Sequence, residues 1–116
     1  MINIITAEAL ELKIRELAAA LPDFVYESYP DGVCKYTTGK NGEGCLIGQA
    51  LVALEPDLIL VLTDIDSRYC MGIDVLPRHL PIELTISPWI IDIQKQQDKG
   101  FKWSKCVEIA DRLMES

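Results

Sequence analysis

The first apolar positions along the chain fall into a helical stripe. Leu10, Ile14, Leu17 and Leu21 recur at spacings of four, three and four, which puts them on one face of an α-helix. Thr6 is placed to cap that helix, and Ile5 with Leu10 fits a hydrophobic staple across the cap. Glu8 stands in the first turn, where the helix dipole favours an anion, and Glu11 with Arg15 makes an i,i+4 pair. Pro22 ends the element. The pattern then changes. Phe24 to Tyr29 and Val33 to Thr37 are rich in aromatic and β-branched residues around Pro30-Asp31-Gly32, which predicts a β-hairpin over residues 24–37. Thr38 to Gly44, with three glycines in seven residues, reads as a loop.

Helical spacing returns at Cys45 to Leu54, where Ile47, Leu51 and Leu54 mark a mostly buried helix. Beyond Pro56-Asp57, the apolar run Leu58 to Leu62 fits a short helix, the preferred reading, or a buried strand. Residues 64–87 are broken by Gly72, Pro77 and Pro81, and only Ile82, Leu84 and Ile86 alternate as a strand would. Ser87 as cap and Pro88 at the first helical position open a helix to about Asp98, with Trp89, Ile90, Ile93 and Gln97 on or near one face. Gly100 closes it. Ser104 then caps a last helix with Val107, Ala110 and Met114 inward and Cys106 and Leu113 beside them. The fold class is therefore α+β: a small, mainly helical single domain over residues 1–116, with a β-hairpin near residues 24–37. A C-terminal antiparallel helix pair carries Phe101 and Trp103 at its tip.

Composition narrows the function classes. A chain of 116 residues, 49% hydrophobic, has room for one core and no second. Its net charge of −7 argues against a protein that works by neutralising the backbone of duplex DNA. That charge is uneven. Residues 1–33 carry six acids and two bases, residues 34–67 five and two, and residues 68–116 seven of each. Met1 to Ile5 has no basic leader segment, and no apolar run approaches the roughly 20 residues that span a bilayer. A cytoplasmic location with reduced thiols and no membrane partner is the expectation. Nothing in the pattern implies a cofactor or sets an oligomeric state.

Five features carry candidate chemistry. Cys45, at a helix start behind a glycine-rich turn, sits where backbone N–H groups favour a thiolate, and His79 is the one histidine available as its base. Burial of Cys45 as a packing residue is the preferred reading, with a Cys45-dependent hydrolase or transferase as the alternative. The glycines at 39, 42 and 44 suggest a phosphate cradle but match neither dinucleotide nor P-loop spacing, and Glu43 opposes an anion. Cys34, Cys45, Cys70 and Cys106 lie too far apart for a local zinc knuckle, so no metal site is assigned. Asp64-x-Asp66-x-Arg68 begins like a calcium loop but lacks its glycine and closing glutamate, and reads as a turn with solvated carboxylates. Finally, Lys95, Lys99, Lys102 and Lys105 surround Trp89 and Trp103, a combination suited to single-stranded nucleic acid, against a preferred reading of both tryptophans as core.

Three runs together carry a resemblance. Val33-Cys34-Lys35-Tyr36, then Gly44-Cys45-Leu46-Ile47-Gly48-Gln49-Ala50-Leu51, and then Ile93-Gln94 with Gln97-Asp98, Gly100, Trp103, Cys106-Val107 and Ala110-Asp111 resemble small uncharacterised proteins of bacteriophage and prophage genomes, especially of actinobacteria. The resemblance covers about residues 33–54 and 90–111 and implies a mobile-element accessory protein rather than a reaction. With the acidic N-terminal two-thirds, it leads to a non-enzymatic protein that binds a host protein with a basic surface. An inhibitor of host defence, anti-CRISPR-like, is one concrete form. Candidate binding residues are Glu27, Asp31 and Glu43 on the acidic part and Trp89 and Trp103 on the neutral part.

Overall fold

The computed structural model describes residues 4–26, 35–38, 44–68 and 71–115. Five helices dominate them: α1 (Ala7–Ala20), α2 (Leu46–Leu54), α3 (Leu58–Arg68), α4 (Pro88–Asp98) and α5 (Trp103–Glu115). The strands β1 (Ile4–Ile5) and β2 (Glu83–Leu84) pair in parallel, Ile4 opposite Glu83 and Ile5 opposite Leu84. Among the described residues this is the only sheet. No helix among them is long and apolar enough to cross a membrane.

Local signals placed three helices well. Thr6 is extended at φ −80°, ψ 158°, and its Oγ1 accepts the Ala9 N–H at 3.1 Å. Cys45 and Ser87 cap α2 and α4 in the same extended conformation, and Pro88 takes the first position of α4. Gly100 follows α4 at φ +88°, a left-handed conformation that glycine adopts without a Cβ penalty.

Several expectations need correction. In α1 the buried stripe is Ala7, Leu10, Ile14 and Ala18, while Leu21 is half exposed. Leu21 is the C-cap at φ −130°, ψ 64°, so its side chain leaves the helical register. Glu11 still acts on Arg15 through its charge, but the hydrogen bonds of both go to tertiary partners: Glu11 accepts the Ser87 hydroxyl at 2.7 Å, and Arg15 reaches Asp111. The expected β-hairpin falls mostly on residues 27–34, outside the described residues, and the described flanks, 24–26 and 35–38, carry no strand. The run at 58–62 is helical and α3 continues to Arg68, so Asp64 and Asp66 belong to a helix and not to a turn. Helix α5 starts one residue before Ser104. Its first free amides, Trp103 and Ser104, donate instead to the carbonyls of Phe24 at 2.9 Å and Pro22 at 3.1 Å. Its inward residues are Trp103, Cys106 and Ala110, and Met114 is half exposed in the last turn.

One hydrophobic cluster joins Leu10 and Ile14 of α1, Leu46, Ile47 and Leu51 of α2, Leu58 and Leu62 of α3, Ile90 and Ile93 of α4, and Trp103 of α5. Helices α4 and α5 pack most extensively on each other, and α1 lies against α2.

Candidate functional site

The irregular strip at residues 35–38 is held from three sides. Tyr26 Oη accepts the Lys35 N–H at 2.9 Å, and the Lys35 carbonyl accepts the Cys45 N–H at 2.9 Å. From α3, the Asp66 carboxylate accepts the N–H groups of Tyr36 (2.9 Å), Thr37 (2.7 Å) and Thr38 (3.1 Å), together with both threonine hydroxyls. Asp66 is only 5% exposed, so a carboxylate read as solvated is in fact the anchor of the strip. The Tyr36 hydroxyl donates to the Met71 carbonyl at 2.7 Å and accepts from Gln94 Nε2 at 3.2 Å. Gln94 Oε1 in turn accepts the Ile73 N–H at 2.8 Å, and Gln97 Oε1 accepts the Leu46 N–H at 2.6 Å. Two buried glutamines of α4 thereby satisfy backbone groups on other elements. Their spacing of three on an otherwise apolar helix face was the signal that could have found them.

The pinned strip forms the floor of a cleft of about 470 Å³. Gly44, just before the α2 cap, and Gly48 in α2 approach it so closely that a Cβ at either would collide with the Tyr36 carbonyl oxygen. Leu21 and Phe24, beyond the end of α1, make one wall; Val52 and Ala53 of α2 with Ile59 of α3 make the other. Its polar lining is committed: Thr37 Oγ1 bonds Thr63 Oγ1 and Asp66, and Gln49 Nε2 donates to the Gly44 carbonyl at 2.8 Å. None of the described lining residues is Asp, Glu, His, Lys, Arg or Cys, and the Tyr36 hydroxyl is taken by the Met71 carbonyl and Gln94. Such a surface can bind an apolar group.

The cysteine candidate is spent on structure. Cys45 is 0% exposed, and its Sγ accepts the Gly48 N–H at 3.4 Å, capping α2. His79 is exposed at the end of a 3-10 turn over Leu76–His79, and no hydrogen bond joins the two. Cys106 is also buried, and burial pushes its thiol up to about 11. Iodoacetamide should therefore leave Cys45 and Cys106 of the folded protein unmodified at neutral pH and label both in denaturant, as peptide mapping would show. Cys45 labelling as fast as a free thiol would return it to the list of nucleophiles. The linkage has a definite sign. The Cys106 thiol ionises near 9.0 when unperturbed and near 11 in the fold, so the stability it contributes is intact below pH 9 and lost as pH rises through that window. A Cys106→Ala variant should lose less of its urea midpoint between those pH values than the parent.

Both tryptophans are core residues, so neither presents a face for a base to stack on. Trp89 is 4% exposed, with its Nε1 donating to Asp111 at 2.9 Å and the Arg15 guanidinium 4.5 Å over its ring. Arg15 grips the same carboxylate at two points, 3.1 and 2.7 Å. That grip, helped by the Trp89 N–H, holds the Asp111 carboxyl below the usual carboxylate range and raises the Arg15 guanidinium. The cluster ties α1, α4 and α5 together. Trp103 is 0% exposed and tilts against Phe24 at 4.5 Å; its Nε1 has no hydrogen-bond partner among the described residues. Of the four lysines, Lys102 lies 3.6 Å from Asp23 and Lys105 3.5 Å from Glu108, while Lys95 and Lys99 are exposed with no ion-pair partner among the described residues. Glu27, Asp31, Glu43, Cys34 and Cys70 lie outside the described residues. Among the described residues no three His, Cys, Asp or Glu side chains converge as metal ligands would. No family model, curated protein or solved structure matches the chain.

Proposed function

We propose that this chain is a non-enzymatic interaction protein of the phage and prophage accessory type, which binds a host protein with a basic surface in the host cytoplasm. The observation that carries the reading is the charge left over after tertiary pairing. Glu8 and Asp57 stand exposed with no ion-pair partner among the described residues, in the stretch 1–67 that holds the whole net charge of −7. Glu27, Asp31 and Glu43 add to the same acidic part of the sequence. A field of one sign speeds association with a basic partner and sets its salt dependence. The basic nucleic-acid channel of a host-defence nuclease is one surface of this kind. A thiol enzyme built on Cys45 and His79, or a strand binder built on Trp89 and Trp103, would have to dismantle the core to expose its working groups.

The test is capture from host lysate on the immobilised protein. A basic protein should be retained at low salt and released near 1 M, where the Debye length falls to about 3 Å. Charge reversal at Glu8 and Asp57 together should move its release to lower salt. Retention of nothing at low salt overturns the reading.

A further inference from the structure

We infer that the cleft between the end of α1 and the α2–α3 pair is a binding site for one uncharged, largely apolar small molecule. The inference is independent of the proposed function, since nothing in it needs a host partner. The cleft, about 470 Å³, falls within the roughly 300–1,000 Å³ of sites that enclose a small ligand, and Leu21, Phe24, Val52, Ala53 and Ile59 give it apolar walls. The site is built before a ligand arrives. Asp66 pins the strip that forms the floor, through the amides of Thr37 and Thr38. On the wall, the Phe24 carbonyl accepts the Trp103 backbone N–H at 2.9 Å, and the Phe24 ring lies 4.5 Å from the fully buried Trp103 ring. Binding therefore has little left to order.

The lining selects the ligand by its lack of charge. No described lining residue carries a charge of either sign. A cation or an anion seated there would give up water and find no counter-charge on the walls, a cost that an uncharged molecule does not meet. Hydrogen bonding offers little compensation, because the lining hydroxyls donate elsewhere: Tyr36 to the Met71 carbonyl at 2.7 Å and Thr37 to the Asp66 carboxylate at 3.0 Å. Apolar contact with the walls is then what holds the occupant. A second copy of the chain, or an anionic amphiphile, is opposed at longer range as well. Residues 1–67 hold the whole net charge of −7, and that stretch supplies every described lining residue.

The experiment uses two fluorescent probes with one ring system: N-phenylnaphthylamine, which is uncharged, and anilinonaphthalene sulfonate, which adds an anion. Titrated into the purified full chain, the uncharged dye should bind saturably, one molecule per chain, with a rise in fluorescence. In ¹⁵N-labelled protein it should shift the amides of Val52, Ala53 and Ile59. The sulfonate should bind about tenfold more weakly or worse. Ala53→Trp, at an exposed helix position, and Ile59→Asp, at a half-exposed one near the start of α3, should each keep the thermal midpoint near that of the parent. Each should weaken the uncharged dye about tenfold or more, the first by filling the cleft and the second by charging its wall. Ile59→Lys should reverse the preference, so that the sulfonate binds more tightly than the uncharged dye. Failure of the uncharged dye to saturate, equal binding of the two dyes by the parent, amide shifts away from the cleft, or unchanged binding in Ala53→Trp and Ile59→Asp would each overturn the inference. Dimerisation of the parent that Ala53→Trp abolishes, followed by sedimentation, would overturn it too, by giving the cleft to a second copy.

Discussion

Gly48→Ala is expected to destabilise the protein by about 3 kcal/mol or more, lowering the thermal midpoint by about 10 °C. Helix propensity alone predicts the opposite sign, since alanine is favoured over glycine inside a helix by about 1 kcal/mol. The neighbours decide the outcome. The three heavy atoms a Cβ would meet at this position are Tyr36 O, C and Cα, all backbone. Backbone cannot rotate aside as a side-chain tip can, and this stretch is tethered by Asp66 and, at the Lys35 carbonyl, by the Cys45 N–H. Relief would require α2 to lift from the strip, which would weaken the Cys45 cap and open the floor of the cleft. Gly44→Ala meets the same carbonyl and should behave alike, whereas a substitution at exposed Ala53 should leave the urea midpoint near that of the parent. A stabilised Gly48→Ala protein would show that α2 and the strip are not packed in this way.

Asp66→Ala should cost about 3–5 kcal/mol, a large share of the roughly 5–15 kcal/mol that holds a typical domain together. Its carboxylate accepts three backbone amides and two hydroxyls, and hydrogen bonds to a charged group are worth about 1.5–3 kcal/mol each, less where water can replace them. Thr37 and Thr38 are partly exposed, so some of the loss is recovered by solvent, but the Tyr36 amide is buried and is not rescued. Asp64→Ala is the internal control. That residue is exposed and pairs with Arg68 at 3.2 Å across one turn, an arrangement worth about 0.3–0.5 kcal/mol. Urea denaturation of the two variants should separate them widely, and hydrogen exchange at the Tyr36 amide should accelerate in Asp66→Ala alone. Equal midpoints for the two would remove Asp66 from its anchoring role.

The contrast between Asp64 and Asp66 shows where reading along the chain stops. Two residues apart on one helix, they look alike in the sequence, yet one faces water and the other is the acceptor for a strip 28–30 positions away. Cys45 is similar: its place at a helix start was legible, but the sulfur is committed to the Gly48 amide, and a lone chain position does not say whether a thiol is reachable. Trp89 and Trp103 sit among lysines in the sequence, yet the area their rings can bury favoured a place in the core, and both are buried in the fold.

The sequence by itself determined the positions of α1, α2 and α4, the caps of α1 and α4, the helix terminator at Gly100 and the concentration of negative charge in residues 1–67. Those properties arise from groups within about one helical turn of each other, or from simple counting, so no knowledge of distant partners is needed. Only the tertiary structure decided the parallel pairing of β1 with β2, the Arg15–Asp111 grip across 96 positions, the Gln97–Leu46 bond across 51, and the cleft itself. Each joins groups whose meeting depends on how all five helices pack at once, and a polar side chain carries no mark of which distant amide it will satisfy.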